Sequence, residues 1–270
     1  MTERTRVSEQ GTVVELEDDT VIAAVLELQR RWAAYALCDL EPPHRQYARF
    51  IGAARDGTIR SMVLIYSPPG FTAVLPCGAP DEVAAILAVA VGLPDSPLLI
   101  VQKMNQAAME TRFHIEDSWT MLRMAVQPHT LKPVPLVDAE IVALQSNHLP
   151  EICRLYASWP DTVFTLFMFE HGVYYGAYIR GELVAISGTH AVSTRHQIGV
   201  IGNVFTHPEH RGRGLATAVT GAVARELFAR GARDVALNAR EDNLAAIAAY
   251  RRIGFQVEEP FWEARARLRG

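Results

Sequence analysis

The residues best suited to chemistry lie in the segment Asn203-Val-Phe-Thr-His-Pro-Glu-His-Arg-Gly-Arg-Gly-Leu-Ala216. Its apolar start reads as a strand ending at Thr206, His207-Pro208 turns the chain, and a glycine-rich loop opens into a helix. Gly212 and Gly214 let a main chain approach a ligand closely and adopt conformations that a Cβ would oppose. The first helical turn leaves N–H groups without intrahelical partners, and the helix dipole adds positive potential. Strand, loop and helix start together make a cradle for a pyrophosphate. Arg211 and Arg213 add charge and donors. The loop lacks the Gly-Lys-Ser/Thr of a nucleoside-triphosphate loop and the GxGxxG spacing of a dinucleotide fold. The plain structural alternative is a helix start that uses glycine to turn and arginine for solubility.

A second group lies downstream in Asn243-Leu-Ala-Ala-Ile-Ala-Ala-Tyr250-Arg-Arg-Ile-Gly254-Phe255. Asn243 is a natural N-cap for this short helix of small residues. Tyr250 follows seven positions later, two turns on and on roughly the same face. It is either a half-buried aromatic or a phenol placed to donate a proton. Gly254 reads as the glycine that stops the helix.

Together these segments resemble the GNAT acyltransferase superfamily. Arg211-x-x-Gly214-x-Ala216 is similar to its Gln/Arg-x-x-Gly-x-Gly/Ala loop, and Asn243, Tyr250 and Gly254-Phe255 resemble its final helix and following strand. The resemblance implies a GNAT fold, α/β with a mixed sheet, from about Val134 to the C-terminus. It further implies acyl-CoA, acetyl-CoA foremost, as co-substrate, with no metal. The strand Val204-Phe205-Thr206 would pair its main chain with the pantetheine arm, in a gap where strands splay apart. Arg211, Gly212, Arg213, Gly214, Leu215, Ala216 and Thr217 would hold the pyrophosphate. Asn243 would contact the pantetheine or steady the last helix, and Tyr250 would protonate the leaving thiolate. The acceptor would be a primary amine of a small molecule or peptide, acylated directly in a ternary complex. The other reading is a sensor or pseudoenzyme that binds CoA without turnover.

The pattern departs from the family at one point. Many members carry a Glu on the strand before the loop as base, yet Gln197-Ile-Gly-Val-Ile-Gly-Asn-Val-Phe-Thr206 contains no carboxylate. The run Thr206-His-Pro-Glu-His-Arg211 resembles glycine N-acyltransferase relatives, but Val200 stands where they place their acid. His190, Asn203, Glu170 and His171 are the candidate replacements. His190 has an ordinary pKa near 6.5, suited to base work at neutrality. Asn203 cannot act as a base but could orient water or the acceptor, and Glu170-His171 could line the acceptor site.

These residues need elements to hold them. From residue 131 the order reads: strand Glu140 to Leu144, helix Leu149 to Ala157, helix Thr162 to Phe169, then strands Val173 to Ile179, Leu183 to Val192 and Gly199 to Thr206. A helix from Gly214 to Arg230, a strand Asp234 to Asn238, a helix Asn243 to Ile253 and a terminal strand follow. The prolines of Gln127 to Pro135 mark a linker. Before it, Met1 to Asp18 reads as a mobile start and Thr20 to Leu37 as one helix capped by Asp18 or Asp19. Strands Arg49–Ala54, Ile59–Tyr66 and Phe71–Pro76, a helix from Asp81, a strand to Gln102, a helix from Asn105 and a strand Trp119–Val126 complete it. The shared element order suggests a duplicated plan. Residues 1–130 are therefore expected to be a degenerate GNAT-like or accessory domain, with 131–270 catalytic. Where the first half should hold a cradle it reads Cys77-Gly-Ala-Pro-Asp-Glu82, whose proline removes a donor and whose acids repel phosphate. That half would shape the acceptor pocket, with Trp32, Tyr35, Tyr66 and Phe71 as candidate lining, or mediate a homodimer.

Composition bounds the partners. A formal net charge of -4 argues against nucleic acid, whose binders neutralise phosphates with Lys and Arg. The longest apolar run, Val83 to Leu93, is too short for a bilayer, which needs about 20 residues. The polar start lacks a signal-peptide core. Cys38, Cys77 and Cys153 form no CxxC pair, so neither zinc nor a disulfide framework is expected. A cytoplasmic protein with reduced thiols fits these features.

Overall fold

The computed structural model describes residues 6–8, 11–159 and 162–270. The chain divides into two compact units: residues 1–122 with 259–270, and residues 123–258. The fold is α/β with mixed sheets, as the sequence predicts.

The first unit is built on strands β1 (Arg6–Ser8), β2 (Gly11–Leu16), β3 (Ala48–Arg55), β4 (Thr58–Tyr66), β5 (Ala73–Cys77) and β6 (Leu98–Gln102). Each pairs antiparallel with the next until β5 and β6, which run parallel. Helices α1 (Asp19–Glu27) and α2 (Ala34–Cys38) precede β3, α3 (Pro80–Val89) joins β5 to β6, and α4 (Gln106–Glu110) follows β6. Helix α3 sets Val83, Ile86 and Leu87 against Val63, Val74, Leu99 and Val101 of the sheet. Complete burial of such side chains stabilises the unit by about 1.5–3 kcal/mol each before entropy is counted.

Two expectations fail in this unit. The stretch read as a mobile start contains β2, whose Val13 and Leu16 are buried and whose register runs from Thr12↔Ala54 to Leu16↔Phe50. Its short apolar stretch, Val13-Val14 and Leu16, does not alternate cleanly and was masked by the polar residues on either side. The helix read over Thr20 to Leu37 breaks between α1 and α2 into tight turns such as Leu28 N–H to Val25 O, 3.2 Å. Trp32, in the break, sends its indole N–H to the Pro76 carbonyl at 3.4 Å, a tertiary contact that periodicity does not show. Asp18 does cap α1, accepting from Thr20 N–H at 2.8 Å.

The next strand, β7 (Phe113–Val126), carries the chain from one unit into the other. The second unit orders its strands β8 (Glu140–Ala143), β9 (Tyr175–Ile179), β10 (Glu182–Ser193), β11 (Ile198–Thr206) and β12 (Asp234–Arg240). The first four pair antiparallel in turn, and β11 runs parallel to β12. Helices α5 (Leu149–Tyr156) and α6 (Leu166–Glu170) lie between β8 and β9. Helix α7 (Leu215–Ala229) joins β11 to β12, and α8 (Leu244–Arg252) follows β12. Helix α6 starts later than the sequence suggests, because Thr165 is its N-cap and accepts from Met168 N–H at 3.2 Å. Neighbouring residues of a strand face opposite ways. A register shift between Leu183 and Ala185 interrupts that alternation in β10, so Leu183 and Ile186 pack with α5 and α6, while the adjacent Val184 and Ala185 both pack with Leu215 and Val219 of α7. The final strand, β13 (Gln256–Leu268), pairs antiparallel with β6 from Phe261↔Gln102 to Arg265↔Leu98 and so belongs mainly to the first unit.

The order β2-α1-α2-β3-β4-β5-α3-β6-α4 repeats as β8-α5-α6-β9-β10-β11-α7-β12-α8. In each copy the parallel pair parts early. β5 and β6 are in register only at Ala73↔Leu98 and Val74↔Leu99. β11 and β12 are in register from Ile198↔Asp234 to Ile201↔Leu237.

Candidate active site

The parting of β11 from β12 leaves an opening between the two strands. β11 continues for five residues past Ile201 and β12 for three past Leu237, without register between them. Val204 and Thr206 are half-buried here, while the Phe205 ring is buried in the α5–α6 core and stacks on Trp159 at 5.3 Å. The candidate strand thus has only its main chain and its half-buried side chains for a ligand.

The cradle follows directly. Gly212 and Gly214 have φ of 76° and 77°, the left-handed region that favours glycine. Gly214 is the N-cap of α7 and, having no side chain, supplies no cap to the first-turn N–H groups. A Cβ on Gly212 would meet nothing within 4 Å, and one on Gly214 only Val137 at 3.5 Å. Arg211 folds back, its Nε donating to Thr206 O at 3.2 Å and its guanidinium lying 6.0 Å from the Phe205 ring centre. Arg213 sits exposed, 3.2 Å from His210 Nδ1 and 4.0 Å from Asp138. Leu215 and Thr217 point into the core, so their contribution to a phosphate is through the main chain. This open, uncapped, positively flanked loop fits a pyrophosphate.

Asn243 caps α8, its Oδ1 accepting from Ala246 N–H at 3.1 Å, which is the structural role its type suggests. Tyr250 is buried at 6% exposure, with Phe255 at 6.1 Å, and loss of solvent pushes its phenol pKa up to about 12. It therefore stays protonated throughout the neutral range. Gly254 does more than stop the helix. With φ of 102° it lets the linker approach so closely that a Cβ would fall 2.1 Å from the Thr130 carbonyl. Lys132 N–H then bonds Ile253 O at 3.1 Å. A groove between His129–Pro133 and Arg251–Val257 results, lined by none of the candidate catalytic residues.

His190 lies beside the opening. Its Nε2 would be 2.1 Å from a Cβ at Gly202, so the glycine is what admits the ring. Burial lowers its pKa to about 4, with the Asn203 side chain partly opposing the shift. The imidazole is neutral at pH 7 and a much weaker base than its ordinary value suggests. Asn203 is buried, with φ of 53°. Its Nδ2 donates to the Tyr174 hydroxyl at 3.0 Å, and its carbonyl accepts from the Tyr156 hydroxyl at 2.6 Å. These tyrosines were missed from the sequence, since they sit 18 positions apart on different elements. Gly188 and Gly202, glycines inside strand patterns, were the available signal for a close approach. Glu170 is exposed at the end of α6, and His171 Nδ1 lies 2.9 Å from Phe167 O, which ties it to its own helix.

Among the described residues no cluster of His, Cys, Asp and Glu could hold a metal, and no helix is long and apolar enough to cross a membrane. The three cysteines are free thiols, Cys38 and Cys77 buried and Cys153 exposed.

The sequence pattern of the Acetyltransferase (GNAT) family matches residues 143–255, which contain the fork, the cradle and α8. Solved structures repeat the fold. A GNAT-family protein from Novosphingobium aromaticivorans is 24% identical, with 73% of this chain and 84% of that chain covered and a TM-score of 0.53. A Drosophila melanogaster protein is 16% identical over 98% of both chains, TM-score 0.69. A tandem GNAT protein from the clavulanic acid biosynthesis pathway is 15% identical over 96% of this chain and 98% of its own, TM-score 0.56. At such identities these structures speak for the fold alone. The family match falls on the segment whose geometry has just been described, and residues 143–255 carry the sequence pattern of the acetyltransferase (GNAT) family.

Proposed function

We propose that the chain transfers an acyl group, acetyl foremost, from acyl-CoA to a primary amine of a small molecule or peptide, directly and within a ternary complex. The observation that carries this reading is the fork at Ile201/Leu237 followed at once by the uncapped, left-handed Gly214 start of α7. The pyrophosphate would sit against the N–H groups of Arg211 to Thr217, and the pantetheine arm along Val204 to Thr206. A neutral amine attacks the thioester carbonyl, and a main-chain N–H at Val204 stabilises the oxyanion. As the C–S bond breaks, Tyr250 protonates the departing sulfur. The proton lost by the amine passes to solvent or to His190, which at a pKa of about 4 takes it poorly. The amine must then arrive as its free base. Thiol release from acetyl-CoA against a panel of amines tests this. With the best amine, kcat/KM should climb with pH toward the pKa of that amine. A plateau already near pH 6.5 would point to a competent imidazole base instead.

The weakness of His190 and the lack of a carboxylate on β11 favour one other reading, a CoA-binding protein without turnover. Saturable CoA binding with no thiol release from any amine would select it.

The first unit repeats the fork but not the cradle, and we propose that it is a degenerate, non-catalytic copy. Ser61 occupies the start of α3, its Oγ accepting from Ala79 N–H at 3.0 Å and donating to Glu82. Gly78 makes this possible, since a Cβ there would fall 2.1 Å from Ser61 Oγ. Pro80 supplies no N–H, and Asp81 and Glu82 bring negative charge to the first turn. Trp32 takes the Pro76 carbonyl and Asn105 the Gly78 carbonyl, at 3.4 and 3.2 Å, so the chain fills its own gap. Calorimetric titration should therefore give one CoA per chain. A stoichiometry of two would show that the first unit binds as well.

A further inference from the structure

Asn203 stands where the sheet loses its regular pattern. Gly188 of β10 opposes Gly202 and Ile186 opposes Phe205, so Ser187 alone faces both Asn203 and Val204. That count of two against one is a β-bulge, which bends a strand and re-aims its groups. Pairing with β12 has already ended at Ile201. Asn203 and Val204 thus have no opposite number in the register of either neighbouring strand. A left-handed φ of 53° is uncommon outside glycine, although Asn tolerates it better than most. Something must hold it.

Two buried phenols do so from different elements. Tyr156, at the end of α5, donates to the Asn203 carbonyl at 2.6 Å. Tyr174, just before β9, accepts from Asn203 Nδ2 at 3.0 Å and donates to the Thr189 carbonyl of β10 at 3.1 Å. One grips the main chain of Asn203 and the other its side chain. Gly188 leaves room for the second ring, since a Cβ there would fall 2.0 Å from Tyr174 Cε1. The rings are 4% and 3% exposed, so water does not compete for these hydrogen bonds.

We propose that Tyr156 and Tyr174 are positioning residues, clamping Asn203 in its left-handed conformation and so setting the direction of the Val204 N–H at the fork. The proposal rests on the acyl-transfer reading for the part that Val204 plays. Neither tyrosine touches the substrate. Removal of an oxyanion donor costs about 10²–10³-fold in kcat. Mis-aiming one by loosening half of its clamp should cost on the order of tenfold.

The test uses the full chain with Tyr156→Phe and Tyr174→Phe, acetyl-CoA and the best amine. Each variant should lose about tenfold in kcat while KM for acetyl-CoA stays within about twofold. The Val204 amide resonance of ¹⁵N-labelled protein should shift in both. An Asn203→Gly background separates the two grips: Tyr174→Phe should cost nothing further there, because its partner amide is gone, whereas Tyr156→Phe should still lower kcat. Two tyrosines that merely filled the core would give equal losses in both backgrounds, and that result would overturn the clamp. So would a Val204 amide that stays in place in both variants. If the wild-type chain turns over no amine, the acyl-transfer reading falls and the amide shift alone decides the clamp.

Discussion

Gly214→Asp should abolish CoA binding in a protein that remains folded. At φ 77° any side chain is strained, but Asp is among the residues that tolerate the left-handed region. A Cβ would meet only Val137 at 3.5 Å, which is ordinary contact. The cost to the fold is therefore on the order of 1–2 kcal/mol. The cost to binding is larger, since a carboxylate would stand at the positive end of α7, where the proposed pyrophosphate site lies. Gly214→Asn has the same shape without the charge and isolates the electrostatic part. Calorimetry should show CoA affinity lost by more than about 100-fold, or some 2.7 kcal/mol, in the Asp variant and by much less in the Asn variant. Equal, small losses in both would remove the pyrophosphate from this loop.

Tyr250→Phe should lower kcat and kcat/KM together by about 10²-fold, leaving acetyl-CoA affinity nearly intact. The hydroxyl is the only group removed, and in the proposed mechanism it is needed only as the C–S bond breaks. Burial raises the phenol to about pH 12, so it holds its proton through any practical assay range. An alkaline fall in rate below about pH 11 is accordingly not expected from this residue. If Tyr250 instead only packs beside the arm and Phe255, phenylalanine will serve almost as well. Wild-type turnover in the variant, with chemistry rate-limiting, would leave thiolate protonation to water.

The parts of the site that were legible in the sequence are those governed by local rules. Glycines that need positive φ, a helix start without a cap, Asn243 as N-cap and the turn at His207-Pro208 each show in a few consecutive residues, and α7 and α8 begin where they predict. The fork was reachable only through resemblance, since nothing within β11 or β12 announces that pairing ends at Ile201. The bulge at Asn203 depends on Tyr156, Tyr174 and Thr189, which lie between 14 and 47 positions away. The drop in the His190 pKa likewise follows from what covers it rather than from its type. β2 escaped because its apolar stretch is short and does not alternate, and the contact of Trp32 with Pro76 because it leaves no periodic trace.

The return of β13 to the first unit bears on how the chain could be cut. Residues 123–258 are one uninterrupted segment, whereas the first unit is written in two pieces separated by that segment. In connectivity, the unit that carries the family pattern is an insertion within the first unit. Cutting at residue 131 would leave β13 without β6 and expose the main chain of both as open edges. Starting at Ala143, where the family pattern begins, would strip Thr130 and Val134 from the glycines at 254 and 221 that were shaped to receive them. The boundaries at Arg123 and Glu258 themselves fall inside β7 and β13, so no single cut separates the two units without breaking a strand.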